Sequence, residues 1–359
     1  MAGVLAEGGA VAAAPAGPGR LLWRRFRRNR LGYWSLLLFL AIYGSSLAGE
    51  LLSNDRPLLV RYEGRWYLPL LKDYDERAFG GDLPIRADYH DPLIRAQLDR
   101  PGNFALFPPN PWYYDTLDYY TPLPYLPSPP SREHWLGTDL GGYDVVARLL
   151  YGFRVSISFA LALTVAGALI GIAIGALQGY FAGRTDLFGQ RLIEVWGAMP
   201  ELYLVIIFAS IFEHSLLVLL VLLTLFGWIH LSDYVRAEFL RNRQLEYVKA
   251  ARAMGLSHWQ IVWRHILPNS LTPVVTFLPF RMSAAIMTLA SLDFLGLGSI
   301  APDPSLGLLL VQGKETLSAW WIALSAFATL VLTLLLLTFM GEALRDAMKQ
   351  QASSAPEAG

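Results

Sequence analysis

His90, His134, His214, His230, His258 and His265 are the residues of this chain best suited to hold a metal or to move a proton. Their spacing supports neither role, because no His-Glu-x-x-His run or comparable ligand pattern is present. The absence of cysteine removes disulfides and thiolate metal sites. A phosphate loop is only superficially suggested by GLLLVQGKE, Gly307 to Glu315. Gly307 stands one position too early, Glu315 replaces the required Ser or Thr, and no strand–helix context surrounds it. No nucleophile elbow occurs either. The residues therefore predict no catalysis, no cofactor and no metal for this chain on its own.

The spacing does support docking. EYVKAARAMGLSHWQIVWRHILPN, Glu246 to Asn269, reads as a helix, a glycine stop, a capped second helix and a proline stop. Gly255 suits the position after a helix end. Ser257 followed three residues on by Gln260 is a capping box, and Pro268 is expected to end the second helix. A rigid pair of helices between apolar spans is a surface on which another protein can push.

The elements around this segment are membrane elements. The chain has 359 residues, 54% of them hydrophobic, and a mean hydropathy of +0.38, too apolar for an ordinary soluble domain. Six spans are predicted: Trp34–Gly49, a charge-free run between Arg154 and Arg184, Leu192–Phe212, Ser215–Ser232, Leu271–Leu295 and Leu317–Gly341. Net charge is zero, so no affinity for nucleic acid is implied. Arg20, Arg24, Arg25, Arg27, Arg28 and Arg30 crowd before the first span and place the N-terminus in the cytoplasm. Alternation then puts both termini and the 233–269 segment inside, and 53–150 outside.

The expected division of the chain follows. Residues 1–19 form a disordered tail and 20–52 a basic segment with the first span. Residues 53–150 form a periplasmic region and 151–345 a core of five spans, with 346–359 as a second tail. Within 53–150, LLVRYEGRWYL predicts a hairpin turning at Glu63-Gly64. The Pro- and Tyr-rich remainder reads as extended loop, a lid resting its aromatics at the lipid interface or sharing in recognition. Thr138 or Asp139 is expected to cap a short surface helix from Tyr143 to Leu150, with Asp144 and Arg148 paired. Gly167, Gly171, Gly175 and Gly179 recur every four residues, which predicts close helix packing.

The 246–269 segment resembles the coupling loop of binding-protein-dependent ABC importers. Ala250 and Ala251 match its Ala pair, Gly255 is correctly spaced and Leu267-Pro268 closes it. Lys249 and His265 replace the usual Glu and Ile, as is common in the peptide-importing branch. HWLGTDLGGYDVVARLLYGFRVS and LDFLGLG are similar to stretches of dipeptide and oligopeptide C-type permeases. The insert NDRPLLVRYEGRWYLPLLKDY resembles that of Yej-type permeases, implicated in uptake of peptides and of the peptide–nucleotide microcin C.

The resemblance implies an all-α polytopic membrane protein with six transmembrane helices and a large periplasmic loop region between the first two. Its core would be MetI-like, the type I importer permease. It implies as partners a homologous second permease, ATP-binding cassette ATPases, a periplasmic peptide-binding protein, a peptide substrate and membrane lipid. It assigns ATPase coupling to Tyr247, Lys249, Ala250, Ala251, Arg252, Gly255, Leu256, His265 and Pro268. Arg281, Ser291 and Asp293 are expected along the translocation path. Arg281 either snorkels, pairs with an acid on a partner, or faces the cavity; Asp293 suits an outer gate or a structural role. Glu194 is expected to be a local partner for Arg191 or for the coupling loop. The competing reading is an ion-gradient transporter using Glu194, Glu201 and Asp293, which requires inverted repeats that the sequence lacks. A scaffold without transport has no positive support.

Overall fold

The computed structural model describes residues 18–120, 125–212, 215–298 and 303–353. Helix α1 (Pro18–Phe26) carries part of the arginine cluster and leads into α2 (Arg30–Leu47), which Asn29 caps by accepting from the Gly32 amide. After the short α3 (Gly49–Leu52) the chain forms a small lobe. Strands β1 (Leu59–Tyr62) and β2 (Arg65–Tyr67) are joined by the expected hairpin, and helix α4 (Pro92–Leu98) leads into β3 (Phe104–Leu106). The sheet is antiparallel in the order β2-β1-β3.

The turn residues Glu63 and Gly64 have φ of 48° and 77°. Positive φ at both positions is the type I′ geometry that suits a right-twisted hairpin. Glutamate is strained there, whereas asparagine tolerates it. Glu63→Asn is expected to stabilise the lobe by about 0.5 kcal/mol. Hydrogen exchange at the β1–β2 amides checks this, and lower protection would contradict it.

Most of the lobe departs from the extended lid expected of it. Val60, Tyr62, Phe79, Tyr89, Ile94 and Leu98 are buried in a core of their own. Tyr62 and Tyr89 meet the Phe79 ring at centroid distances of 5.8 and 5.5 Å, in the edge-on packing aromatic rings favour. These contacts join segments far apart in sequence, so no local pattern announces them.

Helix α5 (Val145–Phe181) begins at the base of the lobe. Its cap is Asp144, not Thr138 or Asp139, and no separate surface helix exists; the expected Tyr143–Leu150 segment is the first part of one 37-residue helix. The Asp144 carboxylate accepts from the Ala147 amide at 2.8 Å and the Asn110 side chain at 2.9 Å, with His134 Nδ1 at 3.0 Å. His134 in turn stacks on Trp112 at 4.7 Å. Arg148 does not use Asp144 for its ion pair: its guanidinium reaches Asp139 at 3.1 Å and lies 4.6 Å from the Tyr143 ring.

Next come α6 (Gly183–Gly197) and α7 (Glu201–Ile211). The span expected at Leu192–Phe212 is thus broken, because Pro200 has no amide hydrogen to donate and disfavours helix in the residue before it. Helices α8 (Leu216–Gly227) and α9 (Ile229–Asn242) run nearly end to end, so residues 233–242 continue a helix instead of opening a loop. Then follow α10 (Glu246–Ala253), α11 (His258–Gln260), a π-helical turn Ile261–Ile266 and α12 (Leu267–Phe294). Helices α13 (Leu306–Glu315) and α14 (Trp320–Ser353) close the chain. The phosphate-loop look-alike is thus helix α13, and the tail expected from 346 is helical to Ser353.

Among the described residues four helical stretches are long and apolar enough to cross a membrane: Val145–Phe181, Leu216–Asn242, Val274–Phe294 and Trp320–Lys349. Among the described residues α2 and α7 fall short of that standard, so the six-span expectation is met in four. The central packing is α5 on α8–α9. Space for a side-chain carbon at Gly175 is taken by the Ser232 carbonyl, Val235 Cβ at 2.9 Å and the Arg236 amide at 3.0 Å. Gly171 and Gly179 meet the same helix one turn away on either side. The glycine period is a helix–helix seam, as small residues in membranes commonly are.

Candidate functional site

Helix α10 is anchored from below. Val248 and Ala251 are buried against Tyr180, Val235, Phe239 and Ile261, three residues apart and so on one face. Ala250 and Lys249 point outward, and Lys249 pairs with Glu246 at 2.7 Å. The two alanines of the motif therefore have different duties: Ala251 seats the helix and Ala250 lies on its exposed side. Arg252 stacks over the Tyr180 ring at 5.8 Å.

The turn after α10 is a Schellman motif. Gly255 has φ of 80°, its amide donates to the Arg252 carbonyl at 3.1 Å, and the Leu256 amide donates to Ala251 at 3.2 Å. Ser257 then opens α11 with the expected capping box: its hydroxyl accepts from the Gln260 amide at 3.3 Å, and its own amide donates to Gln260 Oε1 at 3.0 Å. Ile261 and Ile266 bury the inner face of the turn that follows.

Pro268 does not end this helix. In the π-helical turn the Leu267 amide bonds back to the Val262 carbonyl, and Pro268 falls in the first turn of α12, where its missing donor costs little. The His265 carbonyl is served from the side by Asn269 Nδ2 at 3.1 Å, with the Tyr247 hydroxyl at 3.4 Å. Tyr247, His265 and Asn269 thus brace the point at which the short helix becomes a membrane span.

The result is a crest of exposed side chains on a fully packed base. Met254 is 72% exposed, Trp259 66% and Trp263 55%. None of these three is singled out by the sequence pattern. The signal was present, since Trp259 and Trp263 lie four apart in a segment otherwise polar on that side. Beside the crest, Arg236 of α9 grips Asp186 of α6 through two of its guanidinium nitrogens, Nε and Nη2.

The three residues expected along a path do not form one site. The Arg281 guanidinium donates to the Gly227 carbonyl, where α8 gives way to α9. No carboxylate lies within ion-pair reach of it among the described residues. A cation at a helix C-terminus complements the helix dipole. Arg281→Ala is accordingly expected to lower stability by about 1–3 kcal/mol and to leave the ratio of uptake between two different peptides unchanged. A changed ratio in a protein of unchanged thermal stability would move Arg281 to a cargo-facing role.

Asp293 is buried and accepts from the Ser305 hydroxyl at 2.5 Å, while Ser305 caps α13 by accepting from the Leu308 amide at 3.2 Å. It is the joint between α12 and α13. Ser291 is exposed on α12. Glu194 pairs with Arg191 at 2.6 Å, the first of its two expected partners. Glu201 lies in the first turn of α7.

Two family descriptions match the chain. The binding-protein-dependent transport system inner membrane component covers residues 138–352, and the N-terminal TM domain of oligopeptide transport permease C covers 17–66. The chain is 50% identical to the inner membrane ABC transporter permease protein YejE of Escherichia coli, over 90% of its own length and 95% of that protein. It is 44% identical to the peptidoglycan transport system permease protein YejE of Agrobacterium fabrum, covering 90% and 91%. With the oligopeptide transport system permease protein OppC of Bacillus subtilis identity is 32%, covering 68% and 80%. An inward-facing MetNI methionine ABC transporter structure aligns with a TM-score of 0.47 at 17% identity, covering 56% of this chain and 97% of that one.

Proposed function

Because the chain belongs to the binding-protein-dependent transport system inner membrane components, we propose that its α10–α11 crest is where an ATPase subunit docks and drives import. The chain is a multi-pass inner-membrane permease of ABC peptide importers and not an enzyme. Family membership sets aside the ion-gradient alternative, and two of the three acids invoked for it, Glu194 and Asp293, are engaged in local structure.

In this reading six segments span the membrane, α2 and the α6–α7 pair supplying the first and third. Both termini lie in the cytoplasm, and the lobe faces the periplasm. A second, homologous permease completes the path, ATPases bind inside, and a receptor delivers cargo outside. The cargo is peptide, with peptidoglycan fragments and conjugates such as microcin C within the class. This rests on the oligopeptide and peptidoglycan systems to which the relatives belong.

The observation that carries the docking assignment is an exposed Met254–Gly255 apex on a base that is buried throughout. An apex without rigid backing would yield when pushed. Closure of the ATPases would move the crest as a body and switch the permease between inward- and outward-facing states. The test is co-purification with the ATPase and second permease of a peptide importer from the same source. Receptor and peptide should stimulate ATP hydrolysis in the assembled complex. Absence of any ATPase association would overturn the assignment.

A further inference from the structure

The short helix has a second face, turned away from the apex. Trp259, Val262 and Trp263 look across at Leu169, Ala173 and Leu177 of α5, enclosing a groove of about 500 Å³. Except for the Tyr180 hydroxyl and the His258 ring, its lining is aliphatic or aromatic. From Leu169 to Phe181 the groove follows α5 for about 18 Å, so it climbs a membrane span and does not merely notch its end. Leu169, Ala173, Leu177 and Phe181 recur every four residues along it, all exposed.

Its mouth is cationic. Arg243 donates to the Tyr180 carbonyl at 2.9 Å, Arg252 stacks on the Tyr180 ring, and His258 Nδ1 lies 2.7 Å from the Tyr180 hydroxyl. Nearby Arg191, Arg236, Arg241 and Lys249 each have a carboxylate partner. Arg243 and Arg252 have none within ion-pair distance among the described residues. Arg184, just past Phe181, and Arg264, beside Trp263, likewise have no ion pair among the described residues, so this end of the groove carries a surplus of positive charge. Tryptophans beside them are at home at the level of lipid headgroups.

We propose that this groove binds an anionic phospholipid, one acyl chain lying along α5 between Leu169 and Trp263, with its phosphate at Arg252 and Arg243. An apolar channel open along a span, ended by unpaired arginines and lined by indoles, matches the two halves of such a molecule. The occupied groove would wedge α11 against α5, so the stiffness of the crest would respond to lipid composition. The inference concerns lipid and holds whether or not the crest docks an ATPase.

The test uses the full-length chain assembled with its second permease and ATPases in neutral detergent, offered equal amounts of phosphatidylglycerol and phosphatidylcholine with identical chains and read by native mass spectrometry. One phosphatidylglycerol should be retained in preference by about 30-fold, near 1 kcal/mol for each arginine. Ala173→Trp fills the groove from an exposed position and should abolish retention of both lipids. Arg252→Gln should keep lipid bound but cut the preference to about 5-fold. Thermal unfolding of both variants should match the parent. Equal retention of the two lipids, or retention indifferent to Ala173→Trp, would overturn the proposal. Loss of a protein subunit from the Ala173→Trp complex would overturn it too, by giving the groove to a protein partner.

Discussion

Gly255→Glu is expected to leave the chain folded and inserted while uptake falls by about 100-fold, equivalent to roughly 2.8 kcal/mol of docking free energy. Nothing lies within 4 Å of the carbon that a side chain would add there, so no packing is disturbed. The left-handed backbone, with φ of 80°, charges a non-glycine residue about 1 kcal/mol. That is a tolerable cost for the chain. For a partner fitted to the bare turn, a carboxylate at the apex is a steric and electrostatic obstacle. Receptor-stimulated ATP hydrolysis should be lost with uptake, whereas Gly255→Asn, which keeps the turn with a small neutral side chain, should retain most of both. Normal peptide uptake by the glutamate variant would remove the apex from the coupling surface.

Gly175→Leu is expected to have the largest effect on stability, about 3 kcal/mol or more. The obstacles at this position are the backbone of α9 and Val235 Cβ, not flexible side-chain ends that could swing away. Helices α5 and α9 would have to separate, opening Gly171 and Gly179 along the same seam and loosening Val235 and Phe239 beneath the crest. A lowered unfolding temperature and a broadened size-exclusion profile in detergent should report it. The control is leucine at Gly44, where an added carbon meets nothing within 4 Å, and the unfolding temperature should stay within a degree or two there. A Gly175→Leu protein as stable as the parent would mean that the seam is not close-packed.

The legible parts of this chain were those written in short range. The capping box at Ser257 and Gln260, the glycine stop at 255, the hairpin turn at 63–64 and the four-residue glycine period all involve neighbours within one or two turns, and each formed as read. Pro268 was misread because its effect depends on the turn before it. A π-helical turn converts a stop into a start, and no single residue encodes that turn. The lobe was illegible for a related reason. Its core joins Val60 to Phe79, Tyr89 and Ile94, contacts between segments whose separate patterns look like loop. Arg281 is the intermediate case. Its charge marked it as unusual, but a backbone carbonyl on another helix is a partner that composition cannot reveal. Family resemblance suggests the docking role proposed for this segment, while the different placement of Ala250 and Ala251 is visible only in the folded chain.

The unbroken passage from α11 through the π-helical turn into α12 has a mechanical consequence. From His258 to Phe294 the chain is a single push-rod about 55 Å long. Its near end stands in the crest, and its far end is pinned by Asp293 to Ser305 on the opposite side of the bundle. A rod with a loop in it would absorb a displacement as slack. This one has instead a compliant joint at the widened turn braced by Tyr247 and Asn269. Motion delivered at one membrane face is thereby available at the other without passing through any flexible linker, and the stiffness of that joint sets how much of the stroke arrives.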